Sequence, residues 1–417
     1  IKKDSILAEL KTVLYDDINL WYPLAVDEEF GGYFSDINYK WELSGGQNKM
    51  IVQQARHVWS LSNAYEYYND KKYLEYAKHG FEFLRDVMWD KEYSGFYDLV
   101  DREGNIIKSN GQIIKKAYGN TFALYGLAAY YRASGDTSAL NLALQTFKWF
   151  EQNSYDPEYG GYFQFITREG KPFVDGFQGT PPKDQNSMIH ILEVFTELYK
   201  VWPNELLKER LSALLQLIRD VVTTEAGYMN LFFDREMRHV SFRDLGRDIK
   251  PHQFDLDHVS FGHDVEIAYL MLETSHLLGI ENDTTTMRVA INLVDHSIKF
   301  GFDKINGGLF DRGYYFLNED KPEIIKKSKE WWAQYEALNS FLLMSQLQPS
   351  KTEYYYDLFV KQWHYIKNYI IDSEQGGSFW GGIDIEHENI HGPKGTIWKV
   401  NYHSSRALIN CIRQLGN

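Results

Sequence analysis

The sequence predicts an all-α fold, an (α/α)6 barrel of six helical hairpins with short β-hairpin turns, and three observations predict it. One turn is spelled six times: "DEEFGGYF" from Asp27, "DKEYSGFYD" from Asp90, "DPEYGGYF" from Asp156, "TTEAGYMNLFF" from Thr223, "DKINGGLF" from Asp303 and "DSEQGGSFW" from Asp372. The intervals are 63, 66, 67, 80 and 69 residues, about the length of two helices and their connections. Between turns, apolar residues recur at i, i+3, i+4 and i+7, the period of a helix.

Each interval divides into two helices of different character. Residues 55–68 precede 71–89, residues 118–134 precede 137–152, and residues 186–202 precede 204–222. The first of each pair carries small and aromatic residues on nearly all faces, which marks a buried helix. The second has Lys, Glu and Asp along one side, which marks an outer one. Inner helices are predicted to begin near residues 50, 115, 184, 262, 329 and 400. The turns suit Asp, which bonds its own backbone, and Gly, which accepts positive φ. The alternating aromatics around them suggest a small β-hairpin at each. Six repeats with no obvious capping unit favour a closed ring over an open solenoid. No linker divides the chain, so residues 1–417 are expected to form one catalytic domain. The opening "IKKDSILAEL" reads as an amphipathic helix, not a signal peptide.

Composition narrows the function. A net charge of −14 leaves nothing to neutralise phosphates and argues against a nucleic-acid partner. No apolar run reaches the ~18 residues of a membrane span. The lone Cys411 rules out an internal disulfide and agrees with a reducing, cytoplasmic setting. The sequence does not specify an oligomeric state. Aromatic residues make up 16% of the chain, enough to fill a core and still line a cleft that stacks on sugar rings.

Parallel inner helices bring their N-terminal ends to one mouth, where polar residues need a reason. Those present are Arg56 and His57, Tyr118 and Asn120, Asn186 and His190, His263, Asp264 and Glu266, Trp331, Trp332 and Glu336, and His403 and Arg406. His190, His263 and His403 fall in register on three helices. His57, His79, His239, His276, His296 and His364 read as ordinary core or surface residues. Glu266 lies one turn after His263, where it could accept from the imidazole and fix its tautomer. The same spacing also describes a plain helical polar pair. Imidazoles outnumber well-placed carboxylates, which points to proton transfer at carbon, where a group of pKa near ~6.5 serves as acid or base. Residues 252–264 hold His252, Asp255, Asp257, His258 and His263, but without a zinc-binding spacing, and phosphate-cradling glycine loops are missing. No metal and no cofactor are expected. Residues 230–258 lengthen the fourth interval and are expected to form a loop over the cleft.

The segments "QQARHVWSLS", "KDQNSMIHILEVFTELY", "SFGHDVEIAYLMLE", "KEWWAQYEA" and "WKVNYHSSRAL" resemble signatures of the N-acylglucosamine 2-epimerase superfamily, in order and across the whole chain. The branch they look like is that of the cellobiose and mannobiose 2-epimerases. The resemblance implies the same barrel and a cofactor-free epimerisation at C2 of a reducing-end sugar, with a small disaccharide as substrate. It implies that His263 and His403 are the acid/base pair, with Arg56 and His190 over O1 and O2 of the sugar. Tyr118, Asn186 and Glu266 would hold the substrate or orient a histidine. Trp332 and Trp398 would pack against the sugar rings, and Glu336 would join the substrate site. Asn401 and Ser404 stand where the cellobiose branch tends to carry Pro and Asn, and the flank 250–258 differs too, which tilts the reading toward mannobiose. Two other activities fit the barrel: an aldose–ketose isomerase of a monosaccharide such as mannose, and a glycoside hydrolase using Glu266 and Glu336. A binding protein on a retired barrel would have lost the mouth histidines.

Overall fold

The computed structural model describes residues 3–416. Helix α1 (Lys3–Trp21) is followed by α2 (Ile51–Tyr68) and α3 (Lys71–Phe83), α4 (Ala117–Ser134) and α5 (Thr137–Trp149), and α6 (Gln185–Val201) and α7 (Glu205–Leu217). After a short α8 (Pro251–Asp257) come α9 (Phe261–Leu277) and α10 (Thr284–His296), α11 (Trp331–Leu347) and α12 (Thr352–Tyr365), and α13 (Tyr402–Gly416). Helices α2, α4, α6, α9, α11 and α13 form the inner ring, each touching the next, and α13 returns to α2. Ser60 Oγ and Ser405 Oγ, 3.4 Å apart, mark that closure.

The contrast between inner and outer helices follows the sequence pattern. Every residue of α2 from Ile51 to Ala64 is buried. Outer α7 buries one stripe, Leu207, Leu211, Leu214 and Leu215. The sixth hairpin is split between the two ends of the chain: α1 is the outer partner of α13, and Ser404 Oγ donates to Asp17 Oδ2 at 2.7 Å across them. Outer helices α3, α5, α7, α10 and α12 each end in a wider π turn, such as Leu84–Met88. Among the described residues no helix is long and apolar enough to cross a membrane.

Each repeated turn closes with a single β-bridge, for example Tyr155 with Tyr162. The two- to four-residue strands do something else: they join the entry of one inner helix to the loop after the next turn, as Lys49–Met50 pairs with Leu99–Val100. The turn aspartate accepts from the amides two and three residues on, as Asp156 does from Glu158 and Tyr159. Its other oxygen holds a buried lysine that leads toward the following inner helix. The pairs are Lys49–Asp27 (2.8 Å), Lys115–Asp90 (2.9 Å), Lys183–Asp156 (2.8 Å), Lys329–Asp303 (2.8 Å) and Lys394–Asp372 (2.7 Å). In the fourth turn Thr224 replaces the aspartate, its amide bonding Tyr228 O, and Val259 stands where the lysine would be. Both are lost together because either alone would leave an uncompensated buried charge.

Residues 230–258 are not an open loop. They include α8, and Ile249 forms a small satellite core with Tyr314 and Phe316, flanked by Phe242, Phe254 and Ile325. Asp257 anchors the segment by accepting from Ser241 Oγ, Phe242 N and Tyr314 Oη.

Candidate active site

The N-terminal halves of the inner helices gather the expected site residues at one end of the ring, except Trp398, which lies in the loop before α13. His263 stands three residues into α9 and His403 at the second position of α13, and one indole touches both. The Trp332 ring lies 4.7 Å from the His263 ring and 5.6 Å from that of His403. His190, one turn further down α6, has a nitrogen within 4.8 Å of one on His263 and of a Glu266 oxygen.

Each imidazole is held through Nδ1. His403 Nδ1 lies 2.6 Å from Glu336 Oε1, and His190 Nδ1 lies 2.8 Å from Glu193 Oε2. His263 Nδ1 lies 2.8 Å from Ser260 Oγ, with Gln185 Nε2 at 3.5 Å. A carboxylate only accepts, so it fixes the Nδ1–H tautomer and leaves the Nε2 lone pair free. A serine hydroxyl donates or accepts, so His263 is free to take either tautomer.

One expectation is corrected here. Glu266 does not hold His263. Although i,i+3 puts them on one face, the Glu266 carboxylate accepts from Arg406 Nη2 at 2.5 Å, and Ser260, three residues before His263, takes the imidazole. Glu336, expected in the substrate site, bonds His403 and Arg406 Nη2 (2.6 Å) through Oε1, and its buried Oε2 has no partner among the described residues. The His–Glu pair at i,i+3 does exist, but at His190 and Glu193. "HILE" carried that signal with the same spacing as "HDVE", and spacing alone does not say which pair closes. Glu193, Ser260 and Tyr402 had no expected role, and Arg406 was noted only as a polar residue.

Arg56 Nη1 donates to the Trp398 carbonyl (3.0 Å) and Nη2 to Tyr118 Oη (3.1 Å), while its guanidinium lies over Phe122 and Tyr402. Its buried Nε has no partner among the described residues. The same is true of Asn186 Oδ1, so polar capacity remains for a ligand. Trp398 is 44% exposed and stands 6.4 Å from the Tyr118 ring, at the outer rim. His57 lies deeper, 2.6 Å from Tyr22 Oη, and His296 bonds Tyr315 Oη, both as core residues. His258, at the end of the 230–258 segment, donates from Nδ1 to Phe254 O (2.8 Å) and lies close enough to depress His263 electrostatically.

Burial dominates the electrostatics. It pushes His263 down to about 3 and His403 well below the usual imidazole value, so both are neutral at pH 7. Burial pushes Glu266 and Glu336 up to about 7. At Glu193 burial acts the same way, but Arg406 and the His190 hydrogen bond outweigh it and hold the group at about 2. Two trios have donor atoms close enough for an ion, His190–His263–Glu266 and Glu266–Glu336–His403. In the second, Arg406 already supplies the positive charge to both carboxylates. Chemically the site offers imidazoles, a cationic donor beside them and an indole wall.

Comparison with known proteins places this geometry. The family model described as N-acylglucosamine 2-epimerase (GlcNAc 2-epimerase) matches residues 32–407. A cellobiose 2-epimerase of Ruminococcus albus is 32% identical over 98% of each chain. The solved cellobiose 2-epimerase of Spirochaeta thermophila superposes with a TM-score of 0.85 at 27% identity, covering 99% of this chain and 97% of that one. A solved D-mannose isomerase reaches a TM-score of 0.83 over 97% of each chain, but at 19% identity it shows a shared fold alone.

Proposed function

The chain belongs to the N-acylglucosamine 2-epimerase family, and from that premise we propose that it is a carbohydrate epimerase that interconverts glucose and mannose at the reducing end of a β-1,4-linked disaccharide. The observation that carries the reading is the pair His263 and His403, neutral and set against one indole, each tied at Nδ1. The relatives compared are named cellobiose 2-epimerases, and this turns the substrate toward cellobiose and away from the mannobiose that Asn401 and Ser404 suggested. Residues 1–417 are taken as one catalytic domain, which the contact between α1 and α13 supports. A cytoplasmic setting suits the single buried thiol, Cys411.

The chemistry runs through the ring-opened sugar, whose aldehyde acidifies the C2 proton. One imidazole removes that proton and gives a cis-enediolate. The other returns a proton to the opposite face of C2, and the two exchange duties in the reverse direction. His403, whose Nε2 lone pair Glu336 preserves, is poised as a base. His263, whose serine partner permits both tautomers, can deliver or accept. Arg56 lies where it could stabilise charge on O1 and O2, a donor of this kind being worth about 3 kcal/mol of barrier, while His190, whose Nε2 is left an acceptor by Glu193, could accept from a sugar hydroxyl there. Trp332 supports the reducing sugar, Trp398 and Tyr118 the second ring, and Asn186 offers an unused acceptor. No resident cofactor is required by these steps.

The hydrolase alternative needs two carboxylates free to act on a glycosidic bond. Glu266 and Glu336 both bond Arg406, which disfavours it. The aldose–ketose isomerase differs only in returning the proton to C1. Proton NMR of the protein with cellobiose in D₂O separates all three. Deuterium at C2 with the epimeric disaccharide supports the proposal, a ketose product favours the isomerase, and free glucose rejects both.

A further inference from the structure

Arg406 stands one turn after His403 on α13, 3% exposed, and its guanidinium meets three carboxylates from three other inner helices. Nη1 donates to Glu193 of α6, and Nη2 to Glu266 of α9 and Glu336 of α11. Two of those acids go on to hold Nδ1 of His190 and His403, and the third lies within 4.8 Å of nitrogens on His190 and His263. We propose that Arg406 is a positioning residue for the reaction: one buried cation that keeps these carboxylates as hydrogen-bond acceptors and thereby sets the tautomers of His190 and His403. The inference rests on the epimerase reading only for its kinetic consequences.

The physical reason is the burial of these groups. An unpaired carboxyl there would take up a proton, because burial disfavours its charged form. A neutral carboxyl bears an O–H, which can donate to Nδ1 instead of accepting from it. The imidazole would then carry its proton on Nε2, the atom meant to receive one. Arginine suits the position because its planar fork presents several donors at once, and here two nitrogens reach three acids. Lysine offers a point charge on a flexible stem and cannot span the same oxygens.

The surroundings of Arg406 identify what would respond to its loss. Facing it are Glu193 and His190 from α6, Glu266 and Tyr269 from α9, and Glu336 from α11. Tyr402 and His403 lie on its own helix, Tyr125 faces it from α4, and Arg56 contributes a second positive charge from α2. A lysine there keeps a charge but cannot reach all three acids, so the acids it leaves unpaired, and His403 beside them, face a more distant cation and their pKa values rise. The acid limb of the activity profile therefore moves to higher pH.

The test is Arg406→Lys beside the wild type, read by melting, by kcat and KM for C2 deuterium exchange into cellobiose across pH, and by ¹⁵N spectra of the imidazoles. Expected are a folded variant, kcat lower by about 100-fold or more with KM little changed, an acid limb displaced upward, and His190 and His403 converted from Nδ1–H to Nε2–H. A folded variant with unchanged tautomers and an unmoved pH profile would overturn the proposal and leave Arg406 a structural counter-ion. Should Arg406→Lys fail to fold, the wild-type spectrum decides: Nδ1–H at both histidines supports the proposal, and Nε2–H at either sinks it. A wild type inert toward cellobiose whose tautomers still follow Arg406 removes the substrate reading and leaves the network standing.

Discussion

His403 Nδ1 lies 2.6 Å from Glu336 Oε1, although 67 residues separate them. The same oxygen accepts from Arg406, which favours the ionised carboxylate that fixes the imidazole from behind. This contact leaves the His403 Nε2 lone pair free while Glu336 is ionised.

Replacing either face of the acid/base pair should abolish turnover while sparing the fold. His263→Asn and His403→Asn are each expected to lower kcat by about 10² to 10⁴-fold. Proton NMR in D₂O checks it, and a variant that epimerises at the wild-type rate would remove its histidine from the mechanism.

Glu336→Gln retains an acceptor but loses its charge. The drop in kcat is expected to be about 10- to 100-fold, the worth of a hydrogen bond to an ionised group. In the wild type, burial pushes Glu336 up to about 7, so activity should decline as pH falls through that value and Glu336 takes a proton. The variant should lose that contribution to the acid limb, which a pair of pH–rate profiles would reveal.

Ser260→Ala takes away only a neutral partner of His263. The loss in kcat should stay within about tenfold, the worth of an ordinary hydrogen bond. A loss as large as that of His263→Asn would mean that the serine itself takes part in proton transfer.

The turn pairs carry stability, not activity. Asp90→Ala leaves Lys115 buried with only carbonyl partners and should cost about 3 to 5 kcal/mol in denaturant unfolding. The double variant with Lys115→Met should recover part of that loss. If the double variant is no more stable than the single, the pair is not what holds the turn.

Asp257 anchors the segment that ends at His258. Asp257→Ala should loosen it and raise KM for a disaccharide, with a smaller effect on kcat. Unchanged Michaelis kinetics would show that residues 230–258 do not contribute to substrate binding.

The fold was legible because periodicity is local. Six turns and the alternation of all-round apolar with one-sided helices specify six inner and six outer positions, and the observed inner helices begin at 51, 117, 185, 261, 331 and 402, close to expectation. The mouth histidines were legible for the same reason, since register within a repeat places them at one level. What the sequence could not determine was which acid serves which imidazole. His263–Glu266 and His190–Glu193 share one spacing, yet only the second pair forms: Arg406 bonds both acids, but Glu193 keeps its other oxygen on His190 while Ser260 takes His263. Those choices are made between helices, across separations as large as 213 residues for Glu193 and Arg406, where no periodicity reaches. Only closure of the ring brings the groups together, and burial then makes the pairing of charges decisive.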